Sequence, residues 1–324
     1  MREYHTHGPP ATLDFLPCEV ENVHMDPQER SATRFFTALS IAEQEPGVRL
    51  AIESLRTFGG PLRSSPVWVF TGKEPGNTSL GKLDRVQVIP LESGPATPHY
   101  WFATKVLACA RAEETAADDT RSLVWLSPGC LIVQPPELFV LDSAHDAAFR
   151  PVHIKNVGSL ASEPLDEYWS AVYAAVGIKE STTTVESQVD SQQLRPYYNT
   201  HCFSIDPAKG LMRAWWDVFK GLVEDQAFQS GPCADELHRV FLHQAVLSAL
   251  ITKSLGPERI RILPQAYGYP LHFHGKIPQP QRVRVMNELV CPAYEEPADL
   301  GALPSEEPLK SWLTNHAAGP NRSG

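Results

Sequence analysis

The chain has 324 residues, 42% hydrophobic and 20% charged, with 28 Lys and Arg against 38 Asp and Glu for a formal charge of −10. This composition excludes a disordered or fibrous chain and gives enough length to bury a core without disulfide staples. The sign of the charge excludes a basic nucleic-acid binder, while a local basic pocket for a phosphate stays open.

The opening residues, MREYH, lack the apolar core of a signal peptide, and no apolar run reaches the roughly 18 residues of a membrane span. A cytoplasmic protein without a membrane span is therefore expected. Six cysteines, Cys18, Cys109, Cys130, Cys202, Cys233 and Cys291, are scattered with no C-x-x-C pair and read as free thiols.

From about residue 34 the sequence alternates short β-rich runs with helical patterns, the order that builds a mainly parallel sheet with helices on both faces. Residues 34–40 form the first strand, ending at Ser40. A helix follows, with Pro46 near its start, Val48, Ile52 and Leu55 on one face, and Gly59-Gly60 as its stop. Residues 66–70 and 85–89 are the next strands, and Phe102, Val106 and Cys109 mark a helix over about 99–117. Residues 122–126 form a strand that breaks at Ser127-Pro128-Gly129 and is expected to resume over 130–133. Open α/β sheets bind ligands beyond the carboxyl ends of their strands, so this break is a candidate site.

Further along, Leu165, Trp169, Val172 and Val176 mark a helix, and residues 197–205 read as a strand closed by Asp206-Pro207. Residues 210–228 carry Leu211, Trp215, Phe219 and Leu222 opposite Arg213, Asp217, Lys220 and Glu224, which predicts one amphipathic surface helix. Residues 236–255 are apolar nearly all round and predict a buried helix, interrupted by His243 and Gln244. After a strand at 259–263 and a turn at 267–270, repeated prolines predict an irregular tail, anchored by a short helix around Leu309, Trp312 and Leu313. The expected organisation is an arm over 1–30, a single α/β domain over 31–280 and a wrapping tail over 281–324.

Four segments carry a likeness. Residues 124–133 (VWLSPGCLIV), Tyr198-Asn199-Thr200, His243-Gln244 with Leu247, and His272-Phe273-His274-Gly275-Lys276 occur in an order that resembles the nucleotide-diphospho-sugar transferases of the GT-A fold. The glycogenin and lipopolysaccharide-galactosyltransferase group is the nearest in pattern, over about residues 34–280. The resemblance implies a GT-A, Rossmann-like fold, a nucleotide-sugar donor, an acceptor of unspecified kind and glycosyl transfer. It implies catalytic roles for Asn199, His243 and Gln244, and ligand contacts from Ser40, Lys105, Ser127, Gly129, His201, Gly275 and Lys276.

The departures bear on chemistry. That family holds Mn²⁺ or Mg²⁺ with an Asp-x-Asp pair, as hard cations require oxygen ligands. Here Ser127 and Gly129 stand in those places, and a hydroxyl and a bare backbone supply no negative charge. His243 replaces the acid before Gln244, and His201 replaces a small residue. Three readings follow. Transfer without a metal would use Lys105 and Lys276 on the diphosphate, each charge pair at 4 Å being worth about 4 kcal/mol at an effective dielectric near 20. A rebuilt site would place Zn²⁺, Mn²⁺ or another divalent ion on His272 and His274, joined by His201 and His243. A silent binding protein would keep the hollow and lose the chemistry.

Bland readings stand beside these: a plain turn at 127–129, a hydrogen-bonded buried pair at His243 and Gln244, a solvated helix residue at Lys105, a loop pair at His272 and His274. Alternation along an extended segment puts Asn199 and His201 on one face, so both line a cavity if either does. The loop with His153, Lys155 and Asn156 is a further candidate contact.

Overall fold

A computed structural model describes residues 32–72, 78–92 and 100–316. The expected first arm, with His5, His7 and Cys18, lies outside the described residues, as do 317–324. The strands in chain order are β1 (Thr33–Leu39), β2 (Val67–Thr71), β3 (Val86–Pro90), β4 (Ser122–Leu126), β5 (Ala147–Phe149), β6 (Val185–Glu186), β7 (Gln193–Leu194), β8 (Cys202–Ile205), β9 (Ile260–Ile262), β10 (Tyr267–Pro270) and β11 (Cys291–Ala293). The helices are α1 (Glu45–Phe58), α2 (Ala103–Thr115), α3 (Glu167–Val176), α4 (Leu211–Glu224), α5 (Gln226–Ser230), α6 (Glu236–Ser254) and α7 (Leu309–His316), numbered among the described residues.

Seven strands make one sheet in the order β3-β2-β1-β4-β8-β5-β9, parallel except for β8, which runs antiparallel to both β4 and β5. Every residue of β2 and β4 is buried, as expected of strands covered on both faces. Side chains alternate between two cores. Phe35, Val69 and Val124 pack with Val48, Ile52 and Leu55 of α1, while Phe36, Phe70 and Trp125 pack with Val106, Trp215 and Leu247 from α2, α4 and α6. Among the described residues no helix is long and apolar enough to cross a membrane, and Cys109, Cys130, Cys202, Cys233 and Cys291 are free thiols.

Four expected elements differ. The predicted helix over 210–228 is broken at Asp225, whose carboxylate accepts the N–H groups of Ala227 and Phe228 and so caps α5. The helix predicted from 99 begins at Ala103, behind a left-handed Phe102 at φ 58°. The strand predicted over 197–205 is regular only over β8, the His201 N–H just before it being taken by the Asn199 side chain. The turn predicted at 267–270 is β10, paired in parallel with β11 across an irregularity at Gly268, φ +64°.

That second pairing explains the segment after the Ser127-Pro128-Gly129 break. Instead of resuming a sheet strand, residues 130–133 lie against the tail: the Leu131 and Val133 N–H groups donate to the carbonyls of Pro292 and Val290, and Cys130 bridges Ala293. Leu131, Val133, Leu289, Tyr294, Leu303 and Trp312 close a third apolar cluster with Leu50 of α1. The tail is thereby held by burial as well as by backbone bonds. Tyr294 donates its N–H to the Gly129 carbonyl at 2.8 Å, and a Cβ at Gly129 would collide with the Tyr294 carbonyl oxygen. Gly129→Ala is therefore expected to destabilise the fold by about 1–3 kcal/mol, the usual cost of overpacking. Urea unfolding measures it, and an unchanged midpoint would refute the close packing of tail on turn.

Candidate functional site

Beyond the end of β5 the chain crosses in front of the residues leading into β8, and these face the first half of α6 and the short helical turn Leu271–Lys276. A cleft of about 100 Å³ opens there. Its polar lining is His153, Asn156, Asn199, His201, Gln244 and His272, with the rings of Phe241 and Phe273 as walls and Glu295 arriving from the tail. No Lys or Arg lines it.

Asn199 organises the imidazoles. Its Oδ1 accepts the backbone N–H of His201 at 2.7 Å and lies 2.9 Å from His201 Nδ1, while its Nδ2 lies 3.1 Å from His153 Nε2. The backbone N–H can only donate, which fixes the amide orientation, since the flipped amide would set donor against donor. Two tautomers follow. His201 carries its proton on Nδ1 and keeps a bare Nε2, and His153 accepts on Nε2 and carries its proton on Nδ1. His153 Nδ1 is buried without a partner, beside the Gln188 amide, whose own atoms are also unpartnered. Both rings are neutral. Burial, helped by His201 and Arg150, pushes His153 well below the usual imidazole range, and burial with Lys105 and His272 brings His201 down to about 4.

Thr200, between them, is held from the other side. Its carbonyl accepts from Trp125 Nε1 at 3.1 Å and from the Lys105 ammonium. Its hydroxyl lies 3.1 Å from His243 Nε2 and 3.4 Å from Gln244 Oε1. His243 Nδ1 faces the Val240 carbonyl at 3.0 Å and must donate there, so its Nε2 accepts the Thr200 hydroxyl proton. Burial, then Lys105, keeps His243 neutral.

The expected site residues divide accordingly. Asn199, His201, Gln244 and His272 share the cleft. His243 supports it from behind with both nitrogens engaged. Lys105 is withdrawn: it is 7% exposed, its charge lies 5.3 Å from the Trp125 ring, and burial lowers it to about 7. Ser127 also lies behind, its N–H donating to the His201 carbonyl at 2.8 Å. Ser40 is exposed at the end of β1 and bonds Gln44, and Gly129 is covered by Tyr294. Gly275 is exposed, its carbonyl accepting from Arg282, and Lys276 places its charge 4.9 Å from the Phe273 ring, at the outside of the cleft wall.

The expected histidine metal set does not assemble. His274 Nδ1 is taken by the Tyr269 hydroxyl at 2.8 Å, and His243 has no free lone pair. His272 lies 3.4 Å from Glu295 through Nε2, its Nδ1 buried without a partner. His201 and His272 each stack or edge against His153, at ring distances of 5.7 and 6.3 Å. Among the described residues no three His, Cys, Asp or Glu side chains are placed to hold a metal ion. Among the described residues the expected histidine set therefore does not fit a divalent ion.

Sequence patterning missed three cleft residues. Phe241 was readable as the partner of Gln244 one turn away on α6. Phe273 sits inside the His272–Lys276 motif. Glu295 carries no local signal, because only the pairing of β10 with β11 brings the tail here.

A family model described as the Rhodobacterales glycosyltransferase domain matches residues 63–256. Among solved structures, galactosyltransferase LgtC in complex with donor and acceptor sugar analogs is similar at a TM-score of 0.51 and 12% identity, covering 90% of this chain and 97% of that one. At that identity the likeness shows the fold, a GT-A α/β sheet. No curated protein sequence matches.

Lys105 gives a test of the buried scaffold. Its value falls from an ordinary 10.5 to about 7, burial being the cause. Below pH 7 folding buries an ammonium at a cost. Between 7 and 10.5 the unfolded chain binds the extra proton, so the penalty from this position fades as pH rises. Lys105→Met is expected to raise the melting temperature by about 2–4 °C at pH 6, with the gain shrinking toward pH 10. A lower melting temperature at every pH would show that the bond to Thr200 outweighs burial.

Proposed function

The chain belongs to the Rhodobacterales glycosyltransferase domain family, and from that premise we propose that it moves a glycosyl group from a nucleotide-sugar to an acceptor hydroxyl without a divalent ion. The observation that carries this reading is the bare Nε2 of His201, left as an acceptor in the cleft by the Asn199 amide. In the transfer step the acceptor oxygen bonds to the anomeric carbon as the bond from that carbon to the phosphate oxygen breaks. The electron pair leaves with the nucleoside diphosphate, and the acceptor's proton passes to His201 Nε2.

The remaining cleft residues orient. Gln244, Asn156 and the second N–H of the Asn199 amide hold sugar hydroxyls, and Phe241 and Phe273 offer ring faces to the sugar's C–H face. Lys276, exposed beyond Phe273, takes the diphosphate at the rim. Lys105 and His243 act through Thr200, fixing the backbone between Asn199 and His201. This reading rests on two supports: among the described residues the side chains at 127–129 and the histidines do not fit a metal ion, and the cleft is lined by amide and imidazole groups with no Lys or Arg.

A thermal-shift screen of nucleotide sugars tests it. One donor is expected to raise the melting temperature equally with Mn²⁺ and with EDTA, and turnover is expected to survive EDTA. Stabilisation by no nucleotide sugar, or turnover that requires metal, would overturn the proposal. With the donor known, His201→Gln is expected to lower kcat by about 10²-fold or more with KM little changed. Because His201 titrates at about 4 and acts unprotonated, kcat should be flat from pH 6 to 8 and fall only as pH drops toward that value. Full activity in His201→Gln would remove its role as base.

A further inference from the structure

A second and larger cavity, about 220 Å³, opens at the other end of β5. Ile260, in its wall, pairs with Ala147 at the start of that strand, whereas Val152 and His153 of the cleft follow its end. The sites also lie on opposite faces of one segment: Tyr198 lines this cavity and Asn199 the cleft.

The lining is hydroxyl-rich. Ser181, Thr182 and Thr183 come from the segment after α3, Thr252 from α6, and Tyr198 closes the inner end. Thr252 gives its proton to the Ser248 carbonyl at 2.7 Å and keeps its lone pairs as acceptors. Tyr198 is 3% exposed and its ring packs against Phe149 at 5.5 Å. Its backbone N–H is taken by the Ser248 hydroxyl at 2.9 Å, and its side chain lines the cavity. Burial raises its hydroxyl to about 12, so it remains a donor at neutral pH.

The chemistry of the occupant follows from what the wall lacks. Glu180 is the single charged lining residue, so no cation is present to hold a phosphate or carboxylate. Ile178, Leu255 and Ile260 supply an apolar floor. Hydroxyls above an apolar floor match a pyranose, with its polar edge and C–H face. The volume is below the roughly 300–1,000 Å³ of pockets for drug-sized ligands, which limits the occupant to about one ring. We propose that this cavity is a second carbohydrate site, taking one uncharged hexose residue apart from the transfer cleft, with the Tyr198 hydroxyl as one of its donors.

Protein labelled at isoleucine methyl groups separates the two sites, since Ile178 and Ile260 line this cavity and Ile154 lines the cleft. The probes are methyl hexopyranosides and neutral oligosaccharides of the same hexoses. Saturable shifts at Ile178 and Ile260 are expected with at least one hexose, in Asn199→Ala as in the unchanged protein. Tighter binding of the oligosaccharide identifies a glycan chain as the ligand, and equal binding identifies the free sugar. Tyr198→Phe, which removes only the hydroxyl, should weaken binding about fivefold or more, and Thr183→Trp should abolish the shifts by filling the space. The proposal fails if no uncharged sugar moves these methyls, if inorganic phosphate moves them as a sugar does, or if both variants bind as the unchanged protein does.

Discussion

The Asn199 amide stands between two imidazoles, and its orientation is fixed by a backbone N–H that can only donate. From that constraint the proton positions of His201 and His153 follow without further assumption. It also bears on the electrostatics: the two rings, held neutral by burial, bring no charge to the cleft, although Arg150 and Lys105 lie close behind it. A pocket with this lining favours hydroxyl groups over charges, because a buried anion there would find no ion partner.

Thr200 extends the same network into the scaffold. Its carbonyl and hydroxyl gather Trp125 from the centre of the sheet, Lys105 from α2 and His243 from α6. The residues that the sequence placed together as a catalytic group thus separate into those facing the cleft and those that hold the facing residues still. A buried lysine without a carboxylate is an expensive way to fix a carbonyl. Its position between the Trp125 and Phe102 rings returns part of that cost.

The sheet was legible because parallel strands buried on both faces read as apolar runs, as residues 66–70 and 122–126 do, and because Val48, Ile52 and Leu55 repeat at helical spacing. The breaks were harder. Asp225 looks like one more polar residue on the solvent face of an amphipathic helix, and only its bonds to Ala227 and Phe228 make it a cap. At the site, Asn199 and His201 share one cleft with Gln244 and His272, although the segment carrying the first two is not the regular strand that the alternation argument assumed. Lys105 and His243 were legible as polar interruptions of buried helices, but patterning cannot tell an interruption that faces a ligand from one that answers a backbone carbonyl. Glu295 and the covering of Gly129 depend on pairing between segments far apart in sequence, which no local window contains.

The seam between the tail and the turn at 129 restricts how this molecule can change. Any side chain at that position meets the Tyr294 backbone, so an acidic group cannot be introduced there while the tail stays where it is. The same stretch delivers Glu295 to the cleft, next to His272. A side chain at 129 and the present seating of Tyr294 on the turn therefore exclude each other. Admitting a side chain there would take a shift of the tail, and with it of Glu295 beside His272.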